Sequence, residues 1–251
     1  MNESLIIFSR EWAVTAALTT LLAPEYSRKA TTIYDLGHLT RALQEQPHSP
    51  VVLGLRPHEH VADLYRLKSL LTGRVVLFVG RCFYWTDYSL PDYFGLTRYG
   101  FCSWDAMQDP FSRRMEMRRF RQLSAAIQKN ESPGDKAWWP VSAVLPTTEM
   151  QILERANRWL YRELSVCGLT GYEVRVLWLM TDGRTGDLPS RTRSLHKNNG
   201  LYRLGMTKHV MNLYRGVKVR PALQARLPLQ AEESGTAGTA NILRFRREAG
   251  R

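Results

Sequence analysis

The sequence predicts an α/β domain built on a doubly wound, five-stranded parallel sheet, followed by an all-α domain. Three observations carry this. Apolar runs of four to six residues alternate with amphipathic stretches from residue 4 to residue 103, as strands joined by crossover helices do. After residue 149 the apolar residues recur at helical spacing instead. The length, 251 residues, suits two domains of ordinary size.

Residues 4–8 (SLIIF) are a short apolar run with β-branched residues and read as a buried strand. Residues 12–22 (WAVTAALTTLL) form a helix that Pro24 ends. Residues 30–34 (ATTIY) and 51–55 (VVLGL) are strands, separated by a helix over 36–44 and closed by Pro57. A third helix spans 60–71, a fourth strand 74–79 (RVVLFV) and a fifth 100–103 (GFCS), with a short helix between them in 88–98. The aromatics Phe83, Tyr84, Trp85, Tyr88, Tyr93 and Phe94 fall before that last strand. They are read first as packing at the sheet's carboxyl edge, and alternatively as a contact surface or small-molecule site. A basic helix over 113–128 is followed by a linker at 129–136 (KNESPGDK), and Trp138-Trp139-Pro140 packs back on a domain. Thr147-Thr148 cap a helix over 149–165 with an apolar stripe of Ile152, Ala156, Trp159, Leu160 and Leu164.

Composition narrows the function classes. No run of eighteen apolar residues occurs, so no membrane span is expected. The opening residues lack a secretory pattern. Cys82, Cys102 and Cys167 have neither metal-ligand spacing nor even pairing, which reads as a reducing cytoplasm. A net charge of +12 and a pI near 9.9 point to an anionic partner, nucleic acid before membrane. His58-Glu59-His60 has no third ligand type nearby and is discounted as a metal site. No phosphate-binding loop, dinucleotide fingerprint, nucleophile elbow or zinc spacing is present, so neither cofactor nor catalysis is expected.

The most informative stretch is 169–220. Thr170 and Glu173 stand three apart before an apolar run, which is a capping box. Val174, Leu177 and Met180 recur at helical spacing, and Gly183 sits where a C-terminal cap belongs. From 169 to 227 eleven Lys or Arg face three Asp or Glu, a net +8 that makes up most of the chain's charge.

Leu169, Thr170, Glu173, Val176, Leu177, Leu179 and Gly183 form the pattern LTxxExxVLxLxxxG. This resembles the opening of the helix-turn-helix DNA-binding domain of LuxR/FixJ (NarL)-type transcriptional regulators. The resemblance implies that this first helix is a scaffold and that two helices follow, the second entering the major groove. Two registers place that second helix. Without a gap, residues 188–196 are a helix, Lys197-Asn198-Asn199-Gly200 the turn, and 201–215 the reading helix; this register is preferred. With an insertion, Leu204-Gly205-Met206-Thr207 is the turn, Thr207 the N-cap, and 208–217 the reading helix. Arg193, Lys197, Asn199, Arg203, Thr207, Lys208, Asn212 and Arg215 are the expected DNA-binding residues.

The order of strands and helices over 1–128 is also that of a receiver domain, and 99–106 (YGFCSWDA) resembles a receiver's ending. A working receiver needs a carboxylate pair after the first strand, an Asp after the third, a Ser or Thr after the fourth and a Lys after the fifth. The matching positions hold Ser9 and Arg10, Gly54 and Leu55, Val79 and Gly80, and Trp104. Arg10 would repel a divalent cation. The expectation is a pseudo-receiver over 1–128, a linker with a helix resembling the regulators' dimerising linker over 129–166, the helix-turn-helix domain over 167–227, and a disordered tail over 228–251. The chain is expected to bind double-stranded DNA as a dimer with itself or another LuxR-type regulator, and to contact RNA polymerase. A protein–protein adaptor that has kept the fold, and an RNA-binding regulator, are the alternatives.

Overall fold

The computed structural model describes residues 4–23, 30–130, 147–184 and 186–225. Five parallel strands stand in the order β2-β1-β3-β4-β5: β1 Leu5–Phe8, β2 Ala30–Ile33, β3 Val51–Leu53, β4 Val76–Gly80 and β5 Tyr99–Ser103. Alternate residues serve opposite faces. Leu5, Ile7, Val52, Leu77 and Val79 pack with α1 (Trp12–Leu22) and with Met107, Met117 and Phe120 of α5 (Trp104–Gln108) and α6 (Pro110–Asn130). Ile6, Phe8, Val51, Leu53, Val76 and Phe78 pack with α2 (Leu36–Glu45), α3 (Val61–Leu71) and α4 (Trp85–Tyr93). Burial on both faces is why these strands read as continuous apolar runs and not as alternating ones. The fold class expected from the sequence is the one observed.

The region before β5 differs from its expectation. The helix begins at Trp85, not 88, because Tyr84 and Asp87 close a box at its start: the Asp87 carboxylate accepts the Tyr84 backbone N–H at 2.9 Å. The other carboxylate oxygen accepts the His58 backbone N–H at 2.9 Å and lies 2.7 Å from His58 Nδ1. Both side chains are fully buried. One carboxylate thus starts α4 and pins the chain after β3. Most of these aromatics pack: Trp85 and Phe94 are buried, and Phe83 and Tyr88 meet Phe101 edge-on at 4.9 and 4.7 Å between ring centres, while Tyr88 stays half exposed.

Arg74 was expected to open β4; it sits before it, buried, and donates to the carbonyls of Leu43, Gln46, Ser49 and Leu70. Burial pushes its pKa below the usual guanidinium value. Its charge answers the carbonyl ends of α2 and α3, where a cation is favoured. The helix α6 runs through Lys129 and Asn130, which were expected in the linker. The rest of that linker, Trp138-Trp139-Pro140 and the tail at 228–251 lie outside the described residues.

The helical part opens with α7 (Glu149–Val166), capped by Thr148 as expected, with Gln151 closing the box. Ile152, Ala156, Leu160 and Leu164 are buried. The stripe packs against α3, α4 and α8 (Gly171–Thr181) of its own chain, and Trp159 meets Tyr93 at 5.8 Å. It is therefore not a face held open for a second copy. Among the described residues no helix is long and apolar enough to cross a membrane.

Removing the buried Asp87 carboxylate leaves the His58 and Tyr84 donors unmet. Breaking such a group costs roughly 3 kcal/mol or more. Asp87→Ala is expected to lower the thermal midpoint of the full chain by several degrees. A midpoint within one degree of the parent, in the same calorimetric scan, would contradict this role.

Candidate nucleic-acid interface

The capping box read from the sequence forms as expected. The Thr170 hydroxyl accepts the Glu173 N–H at 3.3 Å, and Glu173 accepts the Thr170 N–H at 2.8 Å. At the other end the Gly183 and Arg184 N–H groups bond to the carbonyls of Met180 and Leu179, with Gly183 at φ +73°. This paired closure is the Schellman arrangement, which needs a left-handed residue.

Beyond it the preferred register does not survive. Residues 190–203 are one helix, α9 (Ser190–Arg203). Asn198-Asn199-Gly200, expected as a turn, lie inside it. The reason is packing. A Cβ built on Gly200 would stand 2.8 Å from Leu177 Cδ1. The glycine is there so that α9 can lie close against α8, not to turn the chain. The turning glycine is Gly205, at φ +67°, where the N–H groups of Gly205 and Met206 bond to the carbonyls of Tyr202 and Leu201. The turn of the second register is thus the observed one. Its helix is not: α10 spans only Val210–Gly216, capped by His209 and not by Thr207.

These corrections separate the eight expected residues. Arg193, Lys197, Asn199 and Arg203 share α9. Thr207 and Lys208 are exposed in the turn, and the Asn212 amide donates back to Thr207, bracing that turn. Arg203 is engaged within the protein. Its guanidinium donates to the Gly168 carbonyl at 2.6 Å and lies 3.5 Å from the buried Glu173 carboxylate. Arg215 turns to the α/β domain, 3.4 Å from Glu59, while its carbonyl accepts the Thr86 hydroxyl at 3.0 Å. Leu213 and Gly216 of α10 are buried, and this short helix packs between α8 and α4.

The surface that remains open belongs to α9. Arg191, Ser194, Leu195, Asn199 and Tyr202 are exposed, with Tyr202 83% accessible. Arg191, Leu195, Asn198 and Tyr202 follow one another at spacings of four, three and four, which puts them on one stripe. The helix carries Arg191, Arg193, Lys197 and Arg203 and no acidic residue. Its first turn has no side-chain cap. Two cations therefore sit beside uncapped N–H groups at the positive end of a helix dipole, which is unfavourable until an anion arrives. His196 stacks on Tyr172 at 5.6 Å and fixes the inner side. Arg191 and Tyr202 were missed from the sequence because the segment was divided at Gly200; the four- and three-residue stripe was the signal available.

No protein-family model and no curated protein matches the chain. Solved structures do. One is a complex of the two-component response regulator RcsB with DNA, at 16% identity over 85% of this chain and 96% of that one, with a TM-score of 0.48. Full-length FixJ from B. japonicum covers 86% of this chain and 95% of its own at 16% identity, with a TM-score of 0.36. RcsB from Salmonella typhimurium covers 85% and 97% at 15% identity, with a TM-score of 0.39.

Filling the space at Gly200 tests the packing claim. Overpacking a tight helix contact costs roughly 1–3 kcal/mol, so Gly200→Leu is expected to lower the denaturant midpoint of the full chain. An unchanged midpoint would refute the close approach.

Proposed function

We propose that the chain is a transcription regulator that binds double-stranded DNA through α9, without phosphorylation of its α/β domain and without catalysis. The observation that carries this reading is the charge of α9: four cations and no anion, with Arg191 on its open stripe and no side-chain cap in its first turn, on a helix long enough to cross a major groove. Arg191 and Lys197 suit phosphates, and Asn199 offers the paired donor and acceptor that match an adenine edge. The resemblance to LuxR-type regulators supports the same partner but counts helices differently. There the second helix after the scaffold reads DNA; here the second, α10, is packed against the α/β domain, so the first takes that role. One helix reads only a few base pairs, and two copies on paired half-sites supply the rest. RNA polymerase and a second LuxR-type subunit remain the proposed protein partners, and the cytoplasm the proposed compartment.

The absence of phosphorylation is supported by what stands at the strand ends. Ser9 and Arg10 follow β1, Gly54 follows β3, and Trp104 follows β5. A Cβ at Gly54 would lie 2.8 Å from Val14 Cγ1 and 3.0 Å from Ser9 Cβ, so a carboxylate has no room there. Incubation with acetyl phosphate and Mg²⁺ is expected to leave the intact mass unchanged. A phosphoryl adduct on an Asp side chain would refute this.

Anisotropy titrations with a labelled duplex at several salt concentrations test the α9 assignment. Arg191→Ala and Lys197→Ala should each weaken binding and reduce the logarithmic salt slope by about 1. Parent-like affinity and slope in both variants would overturn it.

A further inference from the structure

The carboxyl edge of the sheet, emptied of the groups a receiver would use, carries other chemistry. An open cavity of about 720 Å³ lies where the chain leaves β1, β3 and β4. In the order β2-β1-β3-β4-β5 the connections diverge between β1 and β3. Ligands of open α/β sheets sit in the crevice outside that point. Its volume falls within the range of pockets that enclose a small molecule, roughly 300–1,000 Å³.

Four guanidinium groups line it: Arg10 after β1, Arg56 after β3, Arg81 after β4, and Arg215 from α10. They are opposed by two carboxylates, Glu11 and Glu59. Glu59 is already taken. Arg56 holds it through two of its nitrogens, Nε at 2.9 Å and Nη2, and Arg215 stands 3.4 Å away. Burial works against the Arg56 charge, yet the Glu59 carboxylate outweighs it and raises the pKa above the usual value. Arg10 and Arg81 are exposed, and among the described residues neither has a hydrogen bond or ion pair. Arg215 Nε and His60 Nδ1 have no hydrogen-bond partner, although His60 is only 7% exposed; the Asp63 carboxylate lies 3.8 Å from it. Trp104 adds an aromatic wall.

We infer that this cavity binds a small polyanion carrying phosphate or several carboxylates. The guanidinium fork matches both groups with two parallel hydrogen bonds. Arg10 and Arg81 grip its outer end, and Arg56 and Arg215, already bridged by Glu59, hold its inner end. Arg215 and Ala225 come from the helical part of the chain, so the bound anion bridges both parts. Ala225 is seated there by its N–H bond to the Glu59 carbonyl at 2.8 Å, and the neighbouring Gln224 amide donates to the His58 carbonyl at 2.8 Å. The binding does not depend on the DNA reading, because no residue of the α9 stripe lines the cavity.

The test is calorimetric titration of the full chain with inorganic pyrophosphate and, in a separate arm, with citrate, both at about 0.15 M salt to screen loose surface charge. Saturable binding of one anion per chain is expected, and the tighter of the two names the chemistry. The double variant Arg10→Gln/Arg81→Gln, which removes no hydrogen bond or ion pair among the described residues, should bind at least about tenfold more weakly with an unchanged thermal midpoint. Arg118→Gln, an exposed cation on α6, should bind as the parent does. No saturable binding of either anion up to about 10 mM overturns the inference. So does an equal loss in Arg118→Gln, which would mean that net charge alone attracts the anion.

Discussion

The Asp87 carboxylate is the point on which the functional edge of this molecule depends. It accepts the N–H of Tyr84, the residue just before α4, and holds His58, in the segment after β3, with neither side chain touching solvent. A buried carboxylate is tolerated only when its oxygens are met in this way. The consequence is a rigid corner made of α4 and the turn at Pro57–Glu59. Much of what joins the two halves rests on it: α7 and α10 pack on α4, Thr86 bonds to Arg215, and Glu59 meets both Arg215 and the backbone of Ala225.

That corner divides the labour of the helical part. One side of it faces the α/β domain and is spent on docking: Leu213, Gly216, Arg215 and Gln224. The other side, the stripe of Arg191, Leu195 and Tyr202 on α9, is exposed, with no side-chain hydrogen bond or ion pair among the described residues. A helix whose cations crowd its own positive end, without a cap, is poorly built for stability by itself. On the proposed reading, a row of phosphates supplies the missing anions. The same economy shows at the sheet edge. There the ends of β1, β3 and β5 carry Arg10, Gly54 and Trp104, and guanidinium groups outnumber carboxylates around the cavity.

Much of this was legible in the sequence, for physical reasons that can be named. The five strands were visible because a doubly wound sheet buries both faces, which leaves unbroken apolar runs such as LIIF and VVL. The start of α8 was visible because a capping box is a local device, complete within Thr170 to Glu173. The course of 184–216 was not. Asn198-Asn199-Gly200 has turn composition, and only the distant side chain of Leu177 explains why a glycine lies inside α9. The roles of Arg203 and Arg215 were equally hidden. Each is a basic residue on a basic segment, and each is committed by a carboxylate far away in sequence, Glu173 and Glu59. The start of α4 was missed for the same reason, since Asp87 works partly through His58.

The central claim is that α9 reads duplex sequence. Selection of the full-length chain against a pool of random duplexes, sequenced after several rounds, tests it most directly. The account predicts an enriched motif of two related half-sites, as paired copies of one short reading helix require. Duplex binding with no enriched motif, or no duplex binding at low salt, would contradict it.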